Sequence, residues 1–190
     1  MGKEHWKPGN MVYPLPAVMV SCSDKKKNTN IITVAWTGTL CTNPAMVYVS
    51  IRPERHSYGM IKETKEFVIN LTTKKLAHAC DFCGVKSGRD LDKFKETGLH
   101  KGKAKELKYA PIIKESPVSI ECQVKEIVEL GSHHMFIGEV KNVQVEKAYF
   151  EEGGKFSLNK AGLITYSHGE YYTVGKPLGK FGFSVQKKRS

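Results

Sequence analysis

Apolar residues recur along this chain in short bursts separated by turn-forming residues. Ala17 to Ser23 is a compact apolar run and Asp24 to Asn28 a polar turn. The apolar pattern then resumes from Asn30 to Cys41 through Ile31, Ile32, Val34 and Trp36, which predicts a hairpin. Asn43-Pro44 turns the chain, Met46 to Arg52 reads as a strand, and Pro53 ends it because proline has no N–H to give to a ladder. The Ser57 hydroxyl can cap a short helix that carries Met60 and Ile61 inward, after which Glu66 to Leu71 returns to the strand pattern. Thr73 can cap a second helix, in which Leu76, Ala79, Cys80 and Cys83 recur at helical spacing before Gly84 stops it. Val85 to Phe94 reads as a polar loop leading into a helical turn. Val118 to Leu130 alternates, with Val118, Ile120, Cys122 and Val124 on one side; Gly131-Ser132 turns the chain and Met135 to Val145 is the partner strand. Leu163 to Tyr166 and Tyr171 to Val174 complete the set. Helices inserted among antiparallel strands, rather than alternating with them as crossovers, predict a mainly β fold, an antiparallel β-barrel with two short helical insertions.

The length, 190 residues, fits one domain spanning 1–190, with an extended tail over about 176–190. Hydrophobic residues at 40% against 26% charged are enough for one core and too many for a disordered chain. No stretch approaches the roughly 18 apolar residues of a membrane span, and the opening residues lack the apolar run of a secretory leader. The expectation is a soluble, cytoplasmic protein without a membrane partner. Five scattered cysteines then read as buried thiols rather than a disulfide framework.

The net charge of +11 favours an anionic partner without naming it. Lys25-Lys26-Lys27 and the tail residues Lys176, Lys180, Lys187, Lys188 and Arg189 supply part of the excess. A basic barrel could bind single-stranded nucleic acid, but that chemistry needs exposed aromatics interleaved with the cations, and here the aromatics sit mostly in apolar strands.

Candidate chemistry narrows by elimination. Gly175 to Gly182 fails as a phosphate loop, because the spacing before Lys180 is one residue short and Phe181 replaces the metal-binding hydroxyl. The glycines there are expected to allow positive φ in a segment packing across the barrel. His78, Cys80 and Cys83 lack the second close pair of a structural zinc site, and no nucleophile sits in a recognisable strained turn. What remains suits a planar anion. Arg52 ends a strand and Ser57 begins a helix, so a cation, a hydroxyl and free helix N–H groups can meet a phosphate. Asn30, Thr33 and Trp36 set polar groups beside a large aromatic surface. His133 and His134 point to opposite faces of a strand, so at most one meets a given ligand.

The chain resembles the flavin reductase-like FMN-binding split-barrel family, in particular its flavoredoxin branch. The likeness is carried by Pro14 to Cys22, by Asn-x-x-Thr-x-Ala-Trp at Asn30 to Trp36, by Ser50-Ile51-Arg52-Pro53 with His56-Ser57, and by Glu66 to Leu71. Ser87-Gly88-Arg89-Asp90 with Lys93-Phe94, and the ending Tyr166 to Gly182, continue it. The resemblance implies a split β-barrel homodimer with FMN near the subunit interface. It puts Asn30, Thr33, Ala35, Trp36 and Thr37 along the flavin, and Arg52, His56 and Ser57 near its phosphate. Lys93, one of His133 and His134, and an aromatic at Tyr166 would be further contacts. The implied activity is hydride transfer from NADH or NADPH to the flavin and onward to an acceptor, with no catalytic acid or base from the protein. The alternative on the same scaffold is a non-enzymatic FMN electron carrier reduced by a redox protein partner.

Overall fold

A computed structural model describes residues 1–186. The expectations for Lys187, Lys188 and Arg189 lie outside the described residues. The strands are β1 (Leu15–Pro16), β2 (Val18–Ser23), β3 (Thr29–Val34), β4 (Thr37–Cys41), β5 (Met46–Ile51), β6 (Glu66–Leu71), β7 (Lys101–Gly102), β8 (Ile112–Ile113), β9 (Val118–Leu130), β10 (His133–Val145), β11 (Ile164–Ser167) and β12 (Glu170–Thr173). Three α-helices interrupt them: α1 (His56–Thr64), α2 (Ala77–Val85) and α3 (Lys93–Thr97). Seven strands form one antiparallel sheet in the order β3-β2-β6-β9-β10-β5-β4, and β1, β11 and β12 form a smaller one. The predicted mainly β, antiparallel architecture is present, with one helix more than expected.

Period-two alternation sets the two sides of the large sheet. Val18, Val20 and Cys22 of β2 join Ile32, Val49, Phe67, Cys122 and Phe136 in the central core, which α1 closes with Tyr58, Met60 and Ile61. The odd-numbered Met19 of β2 and Ile31 of β3 face outward beneath α2 and α3, among Leu76, Cys80, Cys83 and Phe94. Because both faces are covered, β2 is buried throughout, which is why its sequence reads as a continuous apolar run. Inside the barrel β10 approaches β6 closely: a Cβ on Gly138 would stand 2.7 Å from the Phe67 ring, at a register shift in the ladder.

Segment 104–113 lies over the outer face of the sheet and is tied down by buried polar side chains. Glu121 accepts from the backbone N–H groups of Lys105 (3.0 Å) and Glu106 (2.7 Å) and from the side-chain amides of Asn142 and Gln144. Glu66 accepts from Lys108, Tyr109 and Ala110, and Asn70 from Ile113. Buried carboxylates tolerate their surroundings when their lone pairs are filled in this way.

Several local expectations are corrected. The stretch Asn30 to Cys41 is two strands, broken at Ala35-Trp36, where the Thr37 N–H turns back to the Ala35 carbonyl at 3.0 Å. Arg55, not Ser57, is the residue before α1, and neither it nor Thr73 makes a side-chain cap bond. Gly84 lies within α2, which runs on to Val85. Residues 175–186 do not pack across this chain's barrel, since Leu178 and Phe181 are fully exposed. All five cysteines are free and all but Cys41 are buried. Burial pushes the Cys83 thiol up to about 11 and also raises that of Cys80, so both stay protonated near neutrality.

Candidate functional site

The break between β3 and β4 decides where the site lies. By leaving the ladder at Ala35, the chain carries Trp36 out of the core, so that it is 37% exposed and lies parallel to His133 at a ring separation of 5.9 Å with a 12° interplanar angle. The sequence pattern ran one strand through this position, and the break in that strand is what brings the indole, selected from sequence as a ligand-facing aromatic, to the border of open space. Below it opens a cleft of about 610 Å³, bordered by Thr33, Ala35, Trp36, Arg52, His133 and Tyr166. The Thr33 hydroxyl donates to the Cys80 carbonyl, tying this wall to α2.

A second cleft of about 320 Å³ adjoins the first, and Ile32, Arg55 and Gly84 border both. It sits at the start of α1, whose first N–H groups have no helical partner. His56, Ser57, Lys86, Arg89 and Lys93 line it. Asn30 Nδ2 donates to Ser57 Oγ at 2.8 Å. Gly88 packs against that asparagine so closely that a Cβ there would stand 2.1 Å from Oδ1. Arg89 Nη2 donates to the Glu54 carbonyl at 2.8 Å, tying segment 86–92 to the turn before α1. Lys93 is buried, and its Nζ donates to the carbonyls of Ile31 and Cys83, both at 2.7 Å. Burial lowers its pKa, while the Cys83 and Cys22 thiols oppose that shift. Burial, followed by the charges of Arg89 and Lys93, lowers the pKa of His56. Its imidazole is therefore neutral near pH 7, a hydrogen-bonding rather than a charged group.

Most of the residues selected from sequence converge here. Thr33, Ala35, Trp36, Arg52, His133 and Tyr166 line the larger cleft; Asn30, His56, Ser57 and Lys93 line the smaller. Two placements differ from expectation, Arg52 and Thr37, and of the two histidines one faces the cleft, as expected. Arg52 lies in the larger cleft, not at the cationic end, and pairs with Glu54 at 3.4 Å. Thr37 is buried, donating to the Tyr48 carbonyl at 2.6 Å, and borders neither cleft. His134 also borders neither; its Nδ1 lies 2.8 Å from the Tyr58 hydroxyl, so His133 is the histidine that faces the cleft. Sequence reasoning passed over Arg55, Lys86 and Arg89, whose side chains border the smaller cleft. Arg89 stood within the motif Ser87-Gly88-Arg89-Asp90, but Arg55 and Lys86 gave no signal beyond their charge, and the fold decides which of these cations border the cleft.

Two adjoining clefts, one aromatic and mostly uncharged and the other cationic at a helix N-terminus, match a planar ring carrying a phosphate. Residues 11–175 match the flavin reductase like domain model. The chain belongs to the flavin reductase-like family. Membership supports a flavin cofactor and a redox function. An uncharacterized protein of Pyrococcus abyssi is 31% identical over 86% of this chain and 92% of its own length. The flavoredoxin of Desulfovibrio vulgaris superposes with a TM-score of 0.90 at 29% identity, over 97% of this chain and 100% of that one. A Shewanella frigidimarina protein, described as having the split barrel domain of a flavin reductase, superposes with a TM-score of 0.79 at 25% identity, over 88% and 85%. Within the flavin reductase-like family the chain is therefore similar to the flavoredoxin branch, and its fold is the split barrel. Among the described residues no helix is long and apolar enough to cross a membrane.

Proposed function

We propose that this protein is an FMN-binding oxidoreductase that takes hydride from NADH or NADPH and passes electrons to an acceptor. The observation that carries this reading is the adjacency of the two clefts, one aromatic and the other cationic, which share Ile32, Arg55 and Gly84 as a common border. The donor set fits FMN. Arg55, Lys86 and Arg89, with the N–H groups opening α1, supply charge and hydrogen bonds to a phosphate. Asn30 orients the Ser57 hydroxyl, and the Lys93 ammonium braces β3 against the end of α2. At the other end the Trp36–His133 stack offers a plane for a ring system. A flavin held there by Trp36 and His133 would supply the redox chemistry, moving electrons from a nicotinamide donor to an acceptor. The protein's own task is to hold the ring, limit water and attract anionic nucleotides, which the exposed Arg52 and Arg55 around the larger cleft suit.

The same reading includes a homodimer. Trp6, Met11 and Val12 near the start and Leu178, Phe181, Phe183 and Val185 near the end are all more than half exposed in one chain. Apolar arms of this kind are stabilised when a second copy covers them. Sedimentation at micromolar concentration tests it, and a monomer there refutes it.

Purified protein should be yellow or become so on adding FMN, and stopped-flow mixing with NADH or NADPH should bleach the flavin band rapidly. A protein that binds FMN but is reduced only through a second redox protein would be the electron carrier instead. A protein that takes up no flavin would end the proposal.

A further inference from the structure

Charge is unevenly placed around the larger cleft. Arg52 and Arg55 border it together with His133, whose pKa is lowered by burial and then by the charge of Arg52, so that this imidazole is neutral near pH 7. Another wall is built by α2 and the β11–β12 hairpin. There Asp81, the only carboxylate bordering the cleft among the described residues, stands with Tyr166 and Tyr171. The two tyrosine rings meet edge to face at a centroid separation of 5.6 Å, and Tyr13 lies against Tyr166 at 6.2 Å.

Asp81 is exposed and, among the described residues, in no ion pair. It lies close enough to Tyr171 to act on it: burial first, then Cys80 and Asp81, push that phenol above its ordinary range. The Tyr171 hydroxyl thus stays protonated, and the charge on this wall is the Asp81 carboxylate. Aromatic rings beside an uncommitted carboxylate suit a planar cation. The two redox forms of a nicotinamide nucleotide differ in just this respect. The dihydronicotinamide ring is neutral; once a hydride, the hydrogen with both electrons of its C–H bond, has passed to the flavin, the ring is a pyridinium with one positive charge. The rest of the dinucleotide, phosphates included, is unchanged, so a carboxylate beside the ring distinguishes the two forms.

We infer that Asp81, with Tyr166 and Tyr171, forms a subsite of the larger cleft for the donor's nicotinamide ring and favours that ring in its cationic, oxidised form. The inference rests on the flavin and donor reading above, and it names the residues that meet the donor. At about 610 Å³ the cleft is large enough for a second planar ring beside the first. Arg52 and Arg55 repel a pyridinium, which places it toward the Asp81 wall rather than beside His133.

The test uses the full chain loaded with oxidised FMN and reads binding rather than turnover. It is titrated calorimetrically with NAD⁺ and with the tetrahydro analogue of NAD, whose ring is neutral and gives up no hydride, or with the corresponding NADP pair if that binds better. The oxidised form should bind about fivefold more tightly than the tetrahydro form. Asp81→Asn should weaken the oxidised form by about fivefold and leave both the tetrahydro form and FMN within about twofold. Glu152→Gln, the same change of charge at an exposed residue outside the cleft, should leave all three within about twofold. Equal affinities for the two ring forms, or equal losses for both in Asp81→Asn, would overturn the subsite and leave the proposed function standing. A preference for the oxidised form that survives Asp81→Asn would overturn it as well, since the carboxylate would not be its source. A chain that binds FMN but neither dinucleotide overturns the donor half of the proposed function and the subsite with it, and one that takes up no flavin overturns the flavin reading itself.

Discussion

Gly88 offers a direct test of how the smaller cleft is built. A methyl group at this position would meet Asn30 Oδ1 at 2.1 Å, Cγ at 2.6 Å and Nδ2 at 2.9 Å, distances at which the asparagine must move. Asn30 is 3% exposed, so it has little room, and overpacking a buried site costs about 1–3 kcal/mol. Displacement also breaks its 2.8 Å bond to Ser57, worth about 1 kcal/mol more. Gly88→Ala should therefore lose about 2–4 kcal/mol in reversible urea unfolding, and FMN affinity should fall at least about tenfold as segment 86–92 shifts. The decisive comparison is a double-mutant cycle, because in an Asn30→Ala background all three clashing atoms are absent. There Gly88→Ala should cost under about 0.5 kcal/mol, giving a coupling of about 1.5 kcal/mol or more. If Gly88→Ala costs the same with and without Asn30, the close approach is not what demands glycine, and the geometry inferred for the cleft is wrong.

Arg55→Ala should weaken FMN binding by about 10- to 100-fold through loss of a charge-assisted contact. Arg52→Ala, whose guanidinium pairs with Glu54 near the surface, should cost under about threefold; the reverse order in calorimetry would return the phosphate to Arg52. Trp36→Ala should raise the FMN Kd roughly three- to tenfold or alter the flavin spectrum, while stability changes by less than about 1 kcal/mol because the indole is already partly exposed. A lowered Tm with unchanged flavin affinity would make it a core residue. Burial raises the Glu121 pKa, but hydrogen bonds from Gln144, Lys105, Glu106 and Asn142 outweigh that and hold it below the usual carboxylate range. Its contribution to stability is therefore fully present above the unfolded pKa of about 4.3 and is lost as pH falls through the folded value. Glu121→Gln should flatten the acid limb of the stability profile; an unchanged slope would refute the stapling role.

The amino-acid sequence determined the class of fold and most of the residues gathered at the clefts. Alternation at Val118 to Val124 marks a strand because side chains two apart share a face, and Asn30, Thr33 and Trp36 are near one another in any conformation of so short a segment. Tertiary structure decided which of these groups face the same space. Whether Arg52 or Arg55 points into the cationic cleft depends on the turn before α1, and whether His133 or His134 faces Trp36 depends on the register of β10 against β5, where a one-residue slip exchanges the two faces. Glu121 could not be recognised as buried from its own strand, since its partners lie up to 23 residues away in sequence. The bond from Asn30 to Ser57 and the close contact with Gly88 join three segments that only the folded barrel brings together. Local pattern reports which face a residue occupies; the long-range pairing of strands and helices decides what that face meets.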